Sequence, residues 1–193
     1  MGMGRRPGQG RERMLASTIA LMREHGVAGA SIDAVLAHSQ TPRGSMYHYF
    51  PGGRAEMITS ATRTAGDFIA SVIDQTDHSD PRVAFGRFVE LWKRILADSD
   101  FSAGCPILAV AVDGGRDLPE AMDLTREIFA LWQGKISAQL VANGVPGDRA
   151  RRLATLAIAA IEGAVVLCRA QRSTEPLDDV VTEIAPLFTA SSA

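Results

Sequence analysis

Several hydrogen-bonding side chains lie within six residues of one another. Arg43, Ser45, Tyr47 and His48 surround Gly44. At 100° per residue, a helix here points Gly44 and His48 the same way, with the other three beside them. Arginine can pair with guanine or phosphate, hydroxyls suit phosphate oxygens, and glycine allows close backbone approach. The spacing therefore predicts a surface that binds nucleic acid.

Three predicted helices position this surface. The first runs from about Gly10 to His25, and Gly26 is placed to end it. The second begins after Ser31, and the third covers about Pro42 to Phe50. Helices of about eight residues are unstable alone, so the three must pack together. This order predicts a helix-turn-helix unit whose third helix enters the major groove.

The turn after the third helix has two compatible interpretations. Pro51-Gly52-Gly53 precedes Arg54, which opens a fourth helix. Free N–H groups at a helix start attract anions, and Arg54 adds a full charge, which favours a phosphate contact. The simpler interpretation is a glycine turn that reverses the chain.

The rest of the sequence is helical in pattern, and no alternating strand is evident. Further helices are predicted at about Arg54–Gln75, Arg82–Ala97, Cys105–Val112, Pro119–Ala142, Asp148–Gln171 and Leu177–Phe188. The expected fold is all-α with about nine helices. Residues 1–53 would form the DNA-binding head, and residues 54–193 a ligand-binding and dimerisation domain.

Charge distribution supports a polyanion partner for the head. The 193-residue chain has a net charge of -2, with 46% hydrophobic and 22% charged residues. Seven Arg and three acidic residues fall within residues 1–54, a net charge of +4, so the remainder carries -6. Chance clustering of arginines would give the same imbalance.

Other function classes find little support. Cys105 and Cys168 are far apart in the sequence, so we expect neither a disulfide framework nor a structural zinc site. This cysteine usage favours a reducing, cytoplasmic setting. No secretory signal or membrane-spanning run is evident. Of the four histidines three lie in the head, and His78 is expected in a loop. No catalytic grouping or P-loop appears, so we expect no enzyme activity, metal or cofactor.

The head resembles the DNA-binding head of the TetR family. The similarity covers about 45 residues and centres on Gly44-Ser45-Met46-Tyr47-x-x-Phe50. Three short motifs are similar to those of the branch of lincomycin- and flavonoid-responsive repressors: Pro42-Arg43-Gly44-Ser45, Pro51-Gly52-Gly53 and Gly104-Cys105-Pro106.

This resemblance implies roles for individual residues. Ser31 would contact a phosphate, and Arg54 would match the family's basic phosphate-contacting residue. The full set of candidate DNA contacts is Ser31, Thr41, Arg43, Gly44, Ser45, Tyr47, His48 and Arg54. The chain departs from the family at Gln40, where glycine is common, and at Val27-Ala28, which replace a common aromatic residue. These departures concern the turn geometry.

The body is rich in large apolar residues, which suit either a core or a pocket. For any single aromatic residue, core packing is the better interpretation. The resemblance implies an effector pocket in this region, suited to a small apolar or aromatic molecule. Its candidate lining residues are Phe68, Phe88, Trp92, Cys105, Phe129 and Trp132. Cys105 alternatively serves as a small buried hydrophobe.

The last two helices have the composition of an interface. A helix that is apolar on nearly every side is either central in its domain or shared with a partner. Two-fold pairing would make a homodimer with a four-helix contact and two heads about 34 Å apart. The candidate interface residues are Ala157, Ile161, Ala164, Val165, Val181 and Ile184.

Three functional hypotheses follow. The first is a repressor that a small apolar ligand releases from its operator by shifting the fourth helix. The second is an activator or an effector-independent regulator that binds DNA. The third is a helical small-molecule-binding protein or enzyme in which the head is structural.

Overall fold

A computed structural model describes residues 9–75 and 79–189, and all regular structure within them is helical. His78 lies outside these residues. The α-helices are α1 (Gln9–Gly29), α2 (Ile32–Ser39), α3 (Met46–Tyr49), α4 (Gly53–Gln75), α5 (Pro81–Asp98), α6 (Pro106–Asp113), α7 (Pro119–Ala142), α8 (Gly147–Gln171) and α9 (Glu175–Ile184). Short 3₁₀ turns cover Arg43–Ser45, Gly115–Asp117 and Ala185–Phe188. The predicted all-α fold is confirmed.

Backbone conformation and one side-chain cap explain the interruption of α1 and the two ends of α2. Gly26 interrupts α1 with φ of 70°, as expected from its position after the predicted helix. The Ser31 hydroxyl caps α2 by accepting the Ala34 N–H at 3.2 Å. Gln40 ends α2 in the left-handed conformation, with φ of 52° and ψ of 40°. A residue with a Cβ is disfavoured there, but the Gln40 N–H bonds Ala37 O and closes the turn.

The third predicted helix is wrong in detail. Residues 43–45 form a 3₁₀ turn, and only Met46–Tyr49 are α-helical. At 100° per residue, a helix over residues 42–50 would turn Pro42, Met46, Tyr49 and Phe50 towards the core. Pro42 instead lies exposed and precedes the turn with an extended ψ of 142°. Met46 and Phe50 are fully buried, and Tyr49 is half-buried against the same core.

The described chain packs as two compact units. The first contains residues 9–66 together with 106–125. Its core joins α1, α2, α3 and the beginning of α4 to α6, and α6 lies against α1. The fully buried members include Met14, Val35, Met46, Phe50, Met57, Ile58 and Val110. The predicted boundary between residues 53 and 54 concerns function and stays a prediction, but packing does not follow it.

The second unit contains residues 67–75, 79–105 and 126–189. In it α5, α8 and α9 pack on one another, and the C-terminal 3₁₀ turn covers α5. Asp80 begins α5 by accepting the Arg82 N–H at 2.9 Å, and Pro81 supplies a first-turn residue without an N–H. Helices α4 and α7 contribute residues to both units.

By length and composition α8 would pass as a membrane span. Its apolar run is nevertheless interrupted by Glu162, so the sequence has no uninterrupted apolar run of membrane-spanning length here. One side of α8 forms part of the core of the second unit, with nine buried residues between Ala150 and Cys168. A core helix of this kind satisfies the same test.

Candidate nucleic-acid interface and apolar cavity

The recognition segment (residues 42–50) is held by its buried residues and exposes its polar ones. Met46 and Phe50 anchor it in the core of the first unit, and the Phe50 N–H donates to Met46 O at 2.8 Å. Tyr47 is 65% exposed. Anchoring by two buried residues fixes the direction of the exposed side chains, as groove recognition requires.

The polar residues of this segment form one exposed surface. Arg43, Gly44 and His48 are exposed, and Ser45 is half-buried. A Cβ added to Gly44 would meet no atom within 4 Å, so glycine is not required by packing. The His48 ring contacts Tyr49 edge-to-face, with 5.0 Å between centroids. This surface presents a cation, a phenol and an imidazole to solvent.

Arg43 forms an ion pair across the turn. Its Nη2 lies 3.2 Å from Asp33 Oδ1 on α2, and both side chains are largely exposed. An exposed pair of this kind contributes about 0–1 kcal/mol, so Asp33 orients Arg43 without holding it strongly. A phosphate or a guanine edge could compete for the same guanidinium.

Ser31 and Thr41, both predicted DNA contacts, differ in accessibility. Ser31 is exposed, and its cap uses an acceptor lone pair, so its hydroxyl hydrogen is available to a phosphate. Thr41 is buried, and its hydroxyl donates to Ser39 O at 3.3 Å. This geometry gives Thr41 a structural role in the turn and argues against contact with DNA.

Arg54 has intramolecular partners where a phosphate was predicted. Its Nε donates to Ala30 O at 3.1 Å, and its Nη2 donates to Val27 O. The Gly52 N–H donates to the Glu56 carboxylate at 2.7 Å, so that donor already has an anion. Arg54 thus ties the start of α4 to the last turn of α1 and to Ala30, which follows it. A phosphate could reach only its remaining N–H groups.

An apolar cavity of about 70 Å³ lies within the second unit. Residues of α4, α5, α7 and α8 line it, together with Phe188 from the C-terminal turn. Its aromatic lining is Phe85, Phe88, Trp92, Trp132 and Phe188. Enclosure by aromatic and aliphatic side chains suits a small apolar ligand.

The cavity includes half of the predicted lining residues. Phe88, Trp92 and Trp132 line it. Phe68 is 54% exposed, on the solvent side of α4. Phe129 is half-buried and contacts Trp132 edge-to-face at 5.5 Å, so it supports the wall from outside. Cys105 is buried behind the lining, where its thiol bonds the Glu162 carboxyl.

Glu162 lines the cavity, although it is not among the lining residues predicted from the sequence. It is 8% exposed, and its Oε2 has no hydrogen-bond partner. Burial raises the pKa of this carboxyl to about 7, and the bond from Cys105 opposes the rise. Its signal in the sequence is an acidic residue beside Ile161 and four residues after Ile158 on an otherwise apolar helix face.

Five of the six predicted interface residues are buried within the chain. Ala157, Ile161, Ala164 and Val165 are buried in the second unit, and the first two line the cavity. Ile184 on α9 is buried, and Val181 is half-buried. The five buried residues pack within their own chain and expose little surface to a partner, whereas half-buried Val181 keeps part of its side chain accessible. The apolar residues that α8 leaves exposed are Leu156, Ala159, Gly163, Val166, Leu167 and Ala170.

Comparison with known proteins supplies the family. The family described as "Bacterial regulatory proteins, tetR family" matches residues 14–60, which include the recognition segment. The domain described as "Transcriptional regulator LmrA/YxaF-like, C-terminal domain" matches residues 81–183. The chain belongs to the TetR family. It is a DNA-binding transcriptional regulator of the helix-turn-helix type, and the resemblance to the LmrA branch is confirmed.

Relatives extend this match over nearly the whole chain. An uncharacterised HTH-type transcriptional regulator of Mycobacterium tuberculosis, Rv0196, is 36% identical over 185 residues, covering 93% of this chain and 94% of its own. LmrA of Bacillus subtilis is 23% identical, covering 88% of this chain and 92% of its own.

Solved structures support the fold. A TetR protein from Rhodobacter sphaeroides superposes with a TM-score of 0.83 at 19% identity, covering 93% of this chain and 99% of its own. A TetR regulator from Legionella pneumophila gives a TM-score of 0.80 at 21% identity, with coverage of 96% and 98%.

Proposed function

We propose that this TetR-family regulator is a repressor that leaves its operator when a small apolar or aromatic ligand enters the cavity. The observation that carries the proposal is the exposed surface of Arg43, Gly44, Tyr47 and His48, anchored by buried Met46 and Phe50. Arg43 would read guanine or bind a phosphate, and the Tyr47 hydroxyl would bind a phosphate. His48 would donate to a base edge or to a phosphate.

A homodimer would place two such surfaces on one operator. The exposed side of α8 supports this proposal, because Leu156, Val166 and Leu167 are each more than 40% exposed. Ala159 and Gly163 lie between them along the helix and would allow close approach of a second helix. Two-fold pairing is the common symmetry of such contacts and gives two heads one helical turn of DNA apart.

Release by ligand would use α4. This helix begins three residues after the recognition segment and contributes Ile69 and Ile73 to the cavity wall. A ligand that favours one position of α4 would change the affinity of the head for DNA. Coupling of about 1–3 kcal/mol between two sites is typical and corresponds to a 5- to 150-fold change in affinity.

A reporter assay tests the repressor function. Selection from a randomised duplex library supplies a binding sequence, which is placed between a promoter and a reporter gene. Expression of the wild-type chain should lower reporter output, and the Arg43→Ala, Tyr47→Ala double variant should not. A rise in output with the wild type would indicate an activator and contradict the proposal.

The same assay tests ligand release. A naphthalene derivative is added at a concentration that saturates the purified protein, as judged by quenching of its tryptophan fluorescence. Reporter output should return towards the level without the protein. Output that stays low at saturation would show that occupation of the cavity does not control DNA binding.

A further inference from the structure

Glu162 is an acidic group in an apolar cavity and has no counter-ion among the described lining residues. Its carboxyl lies among Ile158, Ile161 and the aromatic residues of the lining. Oε2 accepts no hydrogen bond, although the side chain is almost fully buried. A buried carboxylate is costly without a partner, so this residue does not serve packing well.

No side chain of the lining donates a hydrogen bond to Glu162 Oε2. Gln139 is the other lining residue with a polar side chain apart from the indole N–H groups of Trp92 and Trp132, and its amide N–H donates to Ile73 O at 3.0 Å. None of the described lining residues carries a positive charge. The Cys105 thiol bonds the carboxyl, yet one oxygen is left without a donor.

The remaining walls favour a positive charge. Trp92, Trp132 and Phe88 present aromatic rings, whose faces attract cations. A protonated nitrogen would donate a charge-assisted hydrogen bond to Glu162 while its apolar part contacted these rings. A neutral hydroxyl could donate the bond but would not offset the buried charge.

We propose that Glu162 makes the cavity selective for hydrophobic amines: molecules with an aromatic or alicyclic body and one protonated nitrogen that bonds the carboxylate. This inference rests on the proposed function only in naming the cavity as the effector site. It assigns Glu162 as the residue that determines ligand class.

Selectivity of this kind makes binding depend on pH. An ammonium ligand requires ionised Glu162, whose pKa of about 7 follows from burial. Among the described residues that line the cavity or bond this carboxyl, the Cys105 thiol is the other titratable group. Because the competent fraction falls below pH 7, amine affinity should be about tenfold weaker at pH 6 than at pH 8.

The test compares three probes of one shape on the purified full chain without DNA. They are 1-naphthylmethylamine, 1-naphthalenemethanol and 1-naphthoate, and affinities are measured by calorimetry at pH 8 and pH 6. For the wild type we expect the amine to bind at least tenfold more tightly than the alcohol at pH 8. The carboxylate should bind most weakly, and the alcohol should not share the tenfold pH dependence of the amine.

Variants assign the selectivity to one residue. Glu162→Gln keeps the side-chain shape and should bring amine and alcohol affinities to within about threefold, without the pH dependence of the amine. Glu183→Gln removes a carboxylate from an exposed position on α9 and should behave as the wild type.

Three results would overturn the proposal: no binding of the amine to the wild type, equal wild-type affinities for amine and alcohol, or amine selectivity retained in Glu162→Gln. The wild-type measurements stand even if the variant does not fold. Operator binding by the same preparation is measured separately, so a failure of amine selectivity is distinguishable from a failure of DNA recognition.

Discussion

Arg43 and Arg54 are two arginines of the head with different surroundings. Arg43 is exposed and meets one exposed carboxylate. Arg54 is partly buried and donates to two backbone carbonyls, those of Val27 and Ala30. Arg43 is therefore accessible to DNA, whereas Arg54 organises the fold. The two residues are of the same type and lie eleven positions apart, so only their environments distinguish them.

Replacing Arg54 tests its structural role. Arg54→Ala removes the side-chain donor to two carbonyls, of which Val27 O still accepts the Ala30 N–H at 3.2 Å. It should lower the free energy of unfolding by about 1–3 kcal/mol, measured by urea denaturation. Arg43→Ala is the matched control and should change it by less than about 1 kcal/mol, since its ion pair is exposed. An Arg54→Ala protein of unchanged stability would contradict this role.

Glu162 should also make stability depend on pH. Its pKa rises on folding from the ordinary 4.5 to about 7, so the unfolded chain binds fewer protons between these values. Stability should therefore fall as pH rises through this window, by an amount on the order of 3 kcal/mol. Urea denaturation at pH 5 and pH 8 should show this loss in the wild type beyond that in Glu162→Gln. Equal losses in both proteins would contradict a buried, ionisable Glu162.

At the scale of elements, long helices were easier to predict than short ones. The predicted bounds of α7 and the end of α4 agree with the structure, because apolar spacing over twenty residues fixes a helix. The recognition segment contains four α-helical residues after a 3₁₀ turn, too few for periodicity to separate the two. In α8, apolar residues occur on nearly every side of the helix, so the sequence pattern does not show which side is buried. The packing of the neighbouring helices decides it.

Gln40 offers a test of the turn that carries the recognition segment. A left-handed conformation costs a residue with a Cβ about 1–2 kcal/mol, and glycine avoids this cost at the expense of more unfolded-state entropy. Gln40→Gly should therefore raise the free energy of unfolding by about 0.5–1 kcal/mol. Gln40→Ala keeps the Cβ and should give no gain. Thermal unfolding measures both, and a destabilised glycine variant would contradict the assigned conformation.

At the scale of the whole molecule, long-range packing was not evident from the sequence. Residues 106–125 join the first packing unit, although they lie more than fifty positions beyond the predicted head. Local spacing carries no information on that pairing. Glu162 was missed for a related reason, since its burial depends on α5 and α7 rather than on its neighbours in sequence.

Self-association should depend on the exposed side of α8. Leu167→Glu places a charge in this apolar surface and should shift the protein from dimer to monomer in light scattering at micromolar concentration. Val141→Glu makes the same type of change at an exposed position of α7 and should leave the dimer intact. If Leu167→Glu stays dimeric, the partner contact lies elsewhere.

The most direct test of the central claim is DNA affinity measured by fluorescence anisotropy at fixed salt. The wild type should bind a library-selected duplex at least about 1,000-fold more tightly than a scrambled one. Arg43→Ala should weaken specific binding by about 1–3 kcal/mol. Arg87→Ala removes an equal charge from an exposed position of α5 and should not weaken it. A wild type without sequence preference, or an Arg43→Ala protein that binds like Arg87→Ala, would contradict the assigned DNA-binding surface.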